Sequence, residues 1–160
     1  MTRITRCALV ALVLISCVGC DQIAKSAARF YLPGTGVHSY LSDTLRLEYA
    51  QNPGAFLSLG ESLPAAVRYD GLILGVGAFV LGLLAWAMTS TRLSWLQRVA
   101  IAAMGAGGGS NLIDRLRFDG TVTDFLNLGL GSLRTGIFNV ADAILMLGAV
   151  VLLISSRARP

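Results

Sequence analysis

The sequence predicts an all-α polytopic membrane protein, a single domain over residues 1–160 with four transmembrane helices. Of its 160 residues, 54% are hydrophobic and 14% are charged, whereas a soluble domain carries about 25% charged residues. A soluble chain this short buries a limited fraction of its surface and could not hide so many apolar side chains. The apolar excess also excludes a disordered chain. The basic residues form no patch with interleaved aromatic residues, so nucleic-acid binding is not expected.

Four apolar segments reach the length of about 20 residues that a bilayer span requires. They cover approximately residues 7–28, 69–89, 95–115 and 136–155. The third contains four glycines between positions 105 and 109, a composition that indicates close helix packing. The connections over about 29–68 and 116–135 then lie on one common side of the membrane, which we call the outer side.

Six arginines without acidic neighbours set the predicted orientation. They lie at the two termini and between the second and third segments: Arg3, Arg6, Arg92, Arg98, Arg157 and Arg159. Lysine and arginine accumulate on the cytoplasmic side of membranes. Both termini are therefore expected in the cytoplasm, which an even number of spans allows.

The outer connections have features of a small sheet. Residues 45–51 (LRLEYAQ) alternate well enough for a strand and precede Asn52-Pro53-Gly54, a turn signal. Residues 121–131 (TVTDFLNLGLG) are apolar and either extended or interfacial. We expect a small sheet on the membrane surface.

The N-terminus also permits a lipoprotein interpretation. Two arginines and an apolar run precede Leu14-Ile15-Ser16-Cys17, which looks like the site at which lipoproteins are lipidated. A lipoprotein would continue as a soluble domain, but three more apolar segments follow, so a first span is favoured. All three cysteines lie at or before position 20, where they predict neither a disulfide framework nor a metal site.

Ionisable residues inside membrane segments are costly and therefore candidates for function. Three pairs have helical spacing: Asp21 with Lys25, Asn111 with Arg115, and Asn139 with Asp142. A structural interpretation, in which polar residues cap helices or join them, accounts well for the first pair and for Asp114. It accounts poorly for Asp142, a lone carboxylate followed by AILMLGAVVLLI.

The available side chains favour chemistry based on a pair of carboxylates. The one histidine, His38, excludes an HExxH zinc site and makes a Ser–His arrangement unfavourable. Two aspartates that share a proton cannot both ionise, so one stays neutral. The ionised member takes a proton from water while the neutral member polarises a carbonyl, with no metal or cofactor. A small binding or transport protein, with Asp142 and Arg115 along a polar pathway, remains an alternative.

Five short motifs in this order resemble the bacterial lipoprotein signal peptidase (signal peptidase II) family over nearly the whole chain. They are DQIAK (21–25), NPGAF (52–56), GGSNLIDR (108–115), VTDF (122–125) and FNVAD (138–142). The chain departs from the family pattern at Ala24, where Thr is frequent, and at Asn127, where a second acid is frequent. Its Gly54-Ala55-Phe56 is also one alanine shorter. These departures concern loop detail and inhibitor affinity.

The resemblance implies an aspartic endopeptidase that cleaves prolipoproteins just before a diacylglyceryl-modified cysteine. Its catalytic dyad falls on Asp124 and Asp142. Its supporting substrate- or inhibitor-binding residues fall on Asp21, Lys25, Asn52, Gly54, Asn111, Arg115 and Asn139. Arg115 is also a candidate ionic partner of Asp114 or of the dyad. The family further implies an inner-membrane enzyme with a periplasmic sheet and active site, contact with membrane lipid and sensitivity to the cyclic peptide globomycin. We expect a monomer.

Overall fold

The computed structural model describes residues 1–54 and 64–157. Within them are four helices: α1 (Arg3–Tyr31), α2 (Ala65–Thr89), α3 (Trp95–Arg117) and α4 (Val140–Arg157). Four strands connect them: β1 (His38–Tyr40), β2 (Leu45–Asn52), β3 (Val122–Leu130) and β4 (Leu133–Arg134). Ala55 and Phe56 of the NPGAF motif, and Arg159 of the basic set, lie outside the described residues.

Each predicted span lies mainly on one helix, and α3 is the central one. It packs against α1, α2 and α4, and it begins with a capping box formed by Ser94 and Gln97. By length and apolar composition, α1, Tyr69–Thr89 and α4 are each able to cross a membrane. Helix α3 contains several buried polar residues and glycines, and much of its surface contacts the other three helices.

Two glycines permit the close contact between α3 and α4. A Cβ atom on Gly107 would stand 2.5 Å from the carbonyl oxygen of Ala141, and one on Gly148 would stand 2.8 Å from that of Ala100. Backbone carbonyls cannot move aside as a flexible side chain can, so both positions require glycine. This confirms that the glycines of the third segment serve helix packing.

The outer connections form one antiparallel sheet in the order β1-β2-β3-β4. The predicted strand over 45–51 is confirmed as part of β2, and the extended alternative for residues 121–131 is confirmed over Val122–Leu130. Asn52 pairs with Val122, and Ala50 pairs with Asp124, after an irregularity in the register. This pairing places the end of β2 beside the acidic residue of β3.

The fourth helix begins later than predicted, at Val140 instead of about 136. Phe138 forms an isolated bridge to Leu126 of β3, which holds the preceding residues in extended backbone. Asn139 then caps the helix, since its side-chain oxygen accepts from the backbone N–H of Asp142. The correction places Asp142 in the first turn of α4.

Candidate active site

Asp124 lies on β3 with only 2% of its surface exposed. Its carboxylate accepts hydrogen bonds from Asn139 Nδ2 at 2.6 Å and from Asn52 Nδ2 at 3.0 Å. Burial disfavours the charged form and raises the pKa of Asp124 to about 6, although these two hydrogen bonds act in the opposite direction. A carboxyl with this pKa exchanges its proton near neutral pH, as acid–base catalysis requires.

Asp142 is held by a reciprocal capping box at the start of α4. The side-chain oxygen of Asn139 accepts from the Asp142 N–H at 3.0 Å, and the Asp142 carboxylate accepts from the Asn139 N–H at 3.2 Å. The amide nitrogen of the same Asn139 side chain donates to Asp124. One asparagine therefore connects both aspartates, and the helix N-terminus favours negative charge at Asp142.

Asn111 connects this dyad to a buried ionic cluster. Its Nδ2 donates to Asp142 Oδ1 at 2.9 Å, and its Oδ1 accepts from Lys25 Nζ at 2.6 Å. Lys25 Nζ is 2.8 Å from Asp21 Oδ2 and 3.5 Å from Asp114 Oδ2, and all three side chains are fully buried. The network therefore runs from the dyad on β3 and α4, through α3, to α1.

Asp21 joins helices, as the structural interpretation of its sequence predicts. It accepts from the Ser110 hydroxyl on α3 at 2.7 Å and from the Ala141 backbone N–H on α4 at 2.8 Å. The second bond satisfies one of the N–H groups that a helix start leaves without an intrahelical acceptor. Asp21 thus fixes the first turn of α4, in which Asp142 lies.

Asp114 has partners that sequence analysis did not identify. Gln22 Nε2 donates to it at 2.9 Å and the Thr123 backbone N–H at 3.0 Å, and Arg29 Nη1 lies 3.6 Å away. Ser110, which donates to Asp21, was not predicted as a site residue either, although its i,i+4 spacing from Asp114 indicates that the two residues share one face of α3. Arg29 and Thr123 had no comparable signal, because their positions depend on the packing of α1 against the sheet.

Arg115 contacts the NPG turn rather than a carboxylate. Its Nη2 donates to the Gly54 carbonyl at 2.7 Å, and the Gly54 N–H donates to Asn52 Oδ1 at 2.9 Å. Among the described side chains, the ion pairs of Asp114 are with Lys25 and Arg29, and none joins Arg115 to Asp114 or the dyad. Arg115 Nε has no hydrogen-bond partner in the described part of the chain.

A cavity of about 390 Å³ opens beside Asp142 between α2, α3 and α4. One wall carries the polar side chains Asn111, Arg115 and Asp142. The rest is mainly apolar: Leu72, Val76, Phe79, Leu145 and Met146. The cavity thus combines the carboxylate of Asp142, the guanidinium of Arg115 and an apolar surface that suits aliphatic side chains.

Known proteins resemble this chain over most of its length. A family model described as Signal peptidase (SPase) II matches residues 13–158. The lipoprotein signal peptidase of Streptococcus pneumoniae is 30% identical over 149 residues, which cover 92% of each chain. That of Lactiplantibacillus plantarum is 34% identical over 146 residues, covering 91% of this chain and 89% of the relative.

The fold is similar to that of two solved structures described as bacterial membrane enzymes. One has a TM-score of 0.81 at 21% identity and covers 94% of both chains. The other has a TM-score of 0.78 at 22% identity, covering 91% of this chain and 85% of the other. The family match and the similar relatives lead to one conclusion, with which the fold agrees: the chain belongs to the signal peptidase II family.

Proposed function

We propose that this protein is a membrane aspartic endopeptidase that removes signal peptides from diacylglyceryl-modified prolipoproteins. Cleavage takes place just before the lipidated cysteine. The observation that supports this most directly is the connection of two buried aspartates, Asp124 and Asp142, through the single side chain of Asn139. The proposal agrees with the relatives, which are lipoprotein signal peptidases.

The dyad begins the reaction with one proton shared between its two carboxyl groups. The ionised carboxylate removes a proton from a water molecule as the water oxygen attacks the scissile carbonyl carbon. The neutral carboxyl donates its proton to the carbonyl oxygen, so a neutral tetrahedral intermediate forms. The carboxyl group that took the proton from water then protonates the leaving nitrogen. The other carboxylate removes a proton from a hydroxyl of the intermediate as the C–N bond breaks, and this returns the dyad to its singly protonated state. The two groups are described by joint pKa values, since each affects the other.

The residues around the dyad keep it and the substrate in position. Asn52, Asn111 and Asn139 donate amide hydrogen bonds to the two carboxylates, which fixes their orientation without adding a positive charge. Arg115 also lines the cavity. Its guanidinium attracts the carbonyl oxygen of a peptide bound there, while the diacylglyceryl group remains in the bilayer.

The membrane arrangement that fits this chemistry has four spans and cytoplasmic termini. Helix α3 is enclosed by the other three helices, so its lower apolar content is compatible with a span. The sheet and dyad then face the periplasm from the inner membrane, and the basic residues Arg3, Arg6, Arg92, Arg98 and Arg157 face the cytoplasm. We propose a monomer that also binds globomycin-type inhibitors at the same cavity.

A cleavage assay with purified protein tests the activity. A lipidated precursor in detergent micelles is mixed with wild-type protein or with Asp124→Asn or Asp142→Asn, and signal-peptide release is followed on a gel. Asp119→Asn is the matched control, because Asp119 is an exposed aspartate outside the site. Release is expected with wild type and with the control alone. Normal release by either dyad variant would contradict the assignment, and a folded but inactive wild type would favour a binding or transport protein.

A further inference from the structure

A second cavity, of about 320 Å³, lies at the end of the helix bundle remote from the dyad. It is lined by Arg6 of α1, Arg98 of α3, and Met1, Thr91, Leu93 and Trp95. We call it the arginine cavity. At about 30 Å³ per water molecule, its volume corresponds to roughly ten waters, which is enough for a small charged headgroup.

The two arginines of this cavity donate to carbonyl groups at the end of α2. Arg98 is 2% exposed and donates to the Ala87, Ser90 and Leu93 carbonyls, the last two at 2.9 and 3.4 Å. Arg6 donates to the Thr89 and Ser90 carbonyls, each at 3.1 Å. Among the described residues neither arginine has a carboxylate at salt-bridge distance, and Arg98 Nε has no hydrogen-bond partner.

The local charges leave this cavity strongly positive. The C-terminal end of α2 contributes about half a negative charge, and the N-termini of α1 and α3 contribute about half a positive charge each. The two guanidinium groups add two further positive charges. A buried charge is costly without a counter-ion, so an anion bound here would compensate this positive charge.

The position of the cavity indicates which anion is available. Both tryptophans of the chain, Trp86 and Trp95, are near this end, with 46% and 64% of their surfaces exposed. Exposed tryptophans concentrate at the level of lipid headgroups, and clustered basic residues attract anionic lipids there. The cavity therefore opens where lipid phosphates are abundant.

We infer that the arginine cavity binds a phosphate group, which an anionic phospholipid headgroup supplies. The phosphate oxygens accept from Arg6 Nη2, since the Nε and Nη1 atoms of Arg6 donate to backbone carbonyls, and the guanidinium of Arg98 in the cavity lining attracts the phosphate by its charge. This site is independent of the proposed peptidase activity, since no residue of the dyad network takes part in it.

Lipid titration tests the inference. Full-length protein in a neutral maltoside detergent is titrated separately with phosphatidylglycerol, phosphatidylcholine and inorganic phosphate, and tryptophan fluorescence is recorded because both tryptophans report on this end. The variants are Arg6→Gln, Arg6→Lys and the control Arg3→Gln. Arg3 is exposed in the same turn of α1 but does not line the cavity.

Phosphatidylglycerol is expected to bind saturably and roughly tenfold more tightly than phosphatidylcholine. Arg6→Gln is expected to weaken binding about five- to tenfold, Arg6→Lys less, and Arg3→Gln by less than about twofold. Binding of phosphatidylglycerol alone identifies the lipid as the source, whereas equal binding of inorganic phosphate with the same dependence on Arg6 shows that a free phosphate suffices. Equal affinity for the two lipids without phosphate binding, or equal effects of Arg3→Gln and Arg6→Gln, would overturn the inference.

Discussion

Two pairs of buried aspartates lie near each other in this fold and differ in what surrounds their charge. Asp21 and Asp114 share Lys25 at 2.8 and 3.5 Å, and Asp114 also has Arg29 at 3.6 Å. Asp124 and Asp142 receive side-chain hydrogen bonds from the amides of asparagines. Among the described side chains, no cation stands at salt-bridge distance from this second pair.

The difference distinguishes a structural pair from the pair that we propose to be catalytic. A carboxylate beside a buried ammonium gains Coulomb attraction, and here that attraction joins α1 to α3. A carboxylate surrounded by amides is desolvated with partial compensation, and burial outweighs the hydrogen bonds of Asn52 and Asn139 and raises the pKa of Asp124 to about 6. We therefore propose that burial without a cation at salt-bridge distance, rather than burial alone, marks the catalytic aspartates of this chain.

Replacing one aspartate of each pair by asparagine should lower the cleavage rate in one case and the stability in the other. Asp124→Asn is expected to reduce the cleavage rate by about 10²- to 10⁴-fold, the range of a lost acid–base group, with thermal stability unchanged or raised. Asp114→Asn is expected to lower stability while the remaining folded protein still cleaves. Cleavage rates normalised to folded protein, together with melting temperatures, distinguish these outcomes. A loss of stability that is the same in both variants would remove the contrast.

Removing the shared cation should affect stability more than any other single change. Lys25→Met leaves Asp21 and Asp114 buried with less compensation, and breaking a buried ion pair costs about 3–5 kcal/mol. Unfolding in detergent with increasing denaturant measures the free energy of unfolding. The triple variant in which both aspartates are also replaced by asparagine should recover part of that loss. If Lys25→Met unfolds like wild type, Lys25 does not hold the cluster together.

Asn111 connects the two pairs, so its replacement tests their coupling. Asn111→Leu removes the donor to Asp142 and the acceptor of Lys25, and an unsatisfied buried group costs about 1–3 kcal/mol. Asn127→Leu is the control, since Asn127 is also buried but bonds to Thr135 and Arg134 in the sheet. Both variants should lose stability, but only Asn111→Leu should change the pH profile of cleavage. Identical pH profiles would show that the pairs act independently.

The smallest effect is expected in the pH dependence of stability. Because the folded pKa of Asp124 lies near 6 and an unfolded aspartate titrates near 3.9, the folded state holds the additional proton between those values. The contribution of Asp124 to stability therefore falls as pH rises from about 4 to about 6. The melting temperature of wild type relative to Asp124→Asn should decline over this interval. A difference that stays constant with pH would place the pKa of Asp124 in its ordinary range.

The sequence could predict the four helices because their signals are local, whereas the candidate site residues, which stay predictions, came from the resemblance of short motifs to a known family. Apolar length indicates a span, and the motif residues Asn139 and Asp142 show their relation through spacing alone. The order of the strands and the partners of Asp114 depend on residues about 90 positions apart, such as Gln22 with Asp114. No periodicity within one segment contains that information, because it arises from the packing of α1 on α3.

The two residues of the capping box could be identified from the sequence, but the sequence did not show that they mark the start of α4. Asn139 and Asp142 have the spacing of a helix start as well as that of a shared helix face, and hydrophobicity extended the predicted span past them. The bridge between Phe138 and Leu126 decides between the two. That contact forms only when β3 lies beside the residues that precede α4. The start of α4 could therefore not be predicted without knowledge of the sheet.

The bond from the Ala141 backbone to Asp21 spans 120 positions of the chain, and it has a consequence for biosynthesis. Helix α1 leaves the ribosome first and α4 last, so the first turn of α4 finds this acceptor only after the final helix has inserted beside α1. Asp142 lies in that turn. A growing chain without α4 therefore cannot bring Asp124 and Asp142 together, and under the proposed mechanism it is not yet able to cleave.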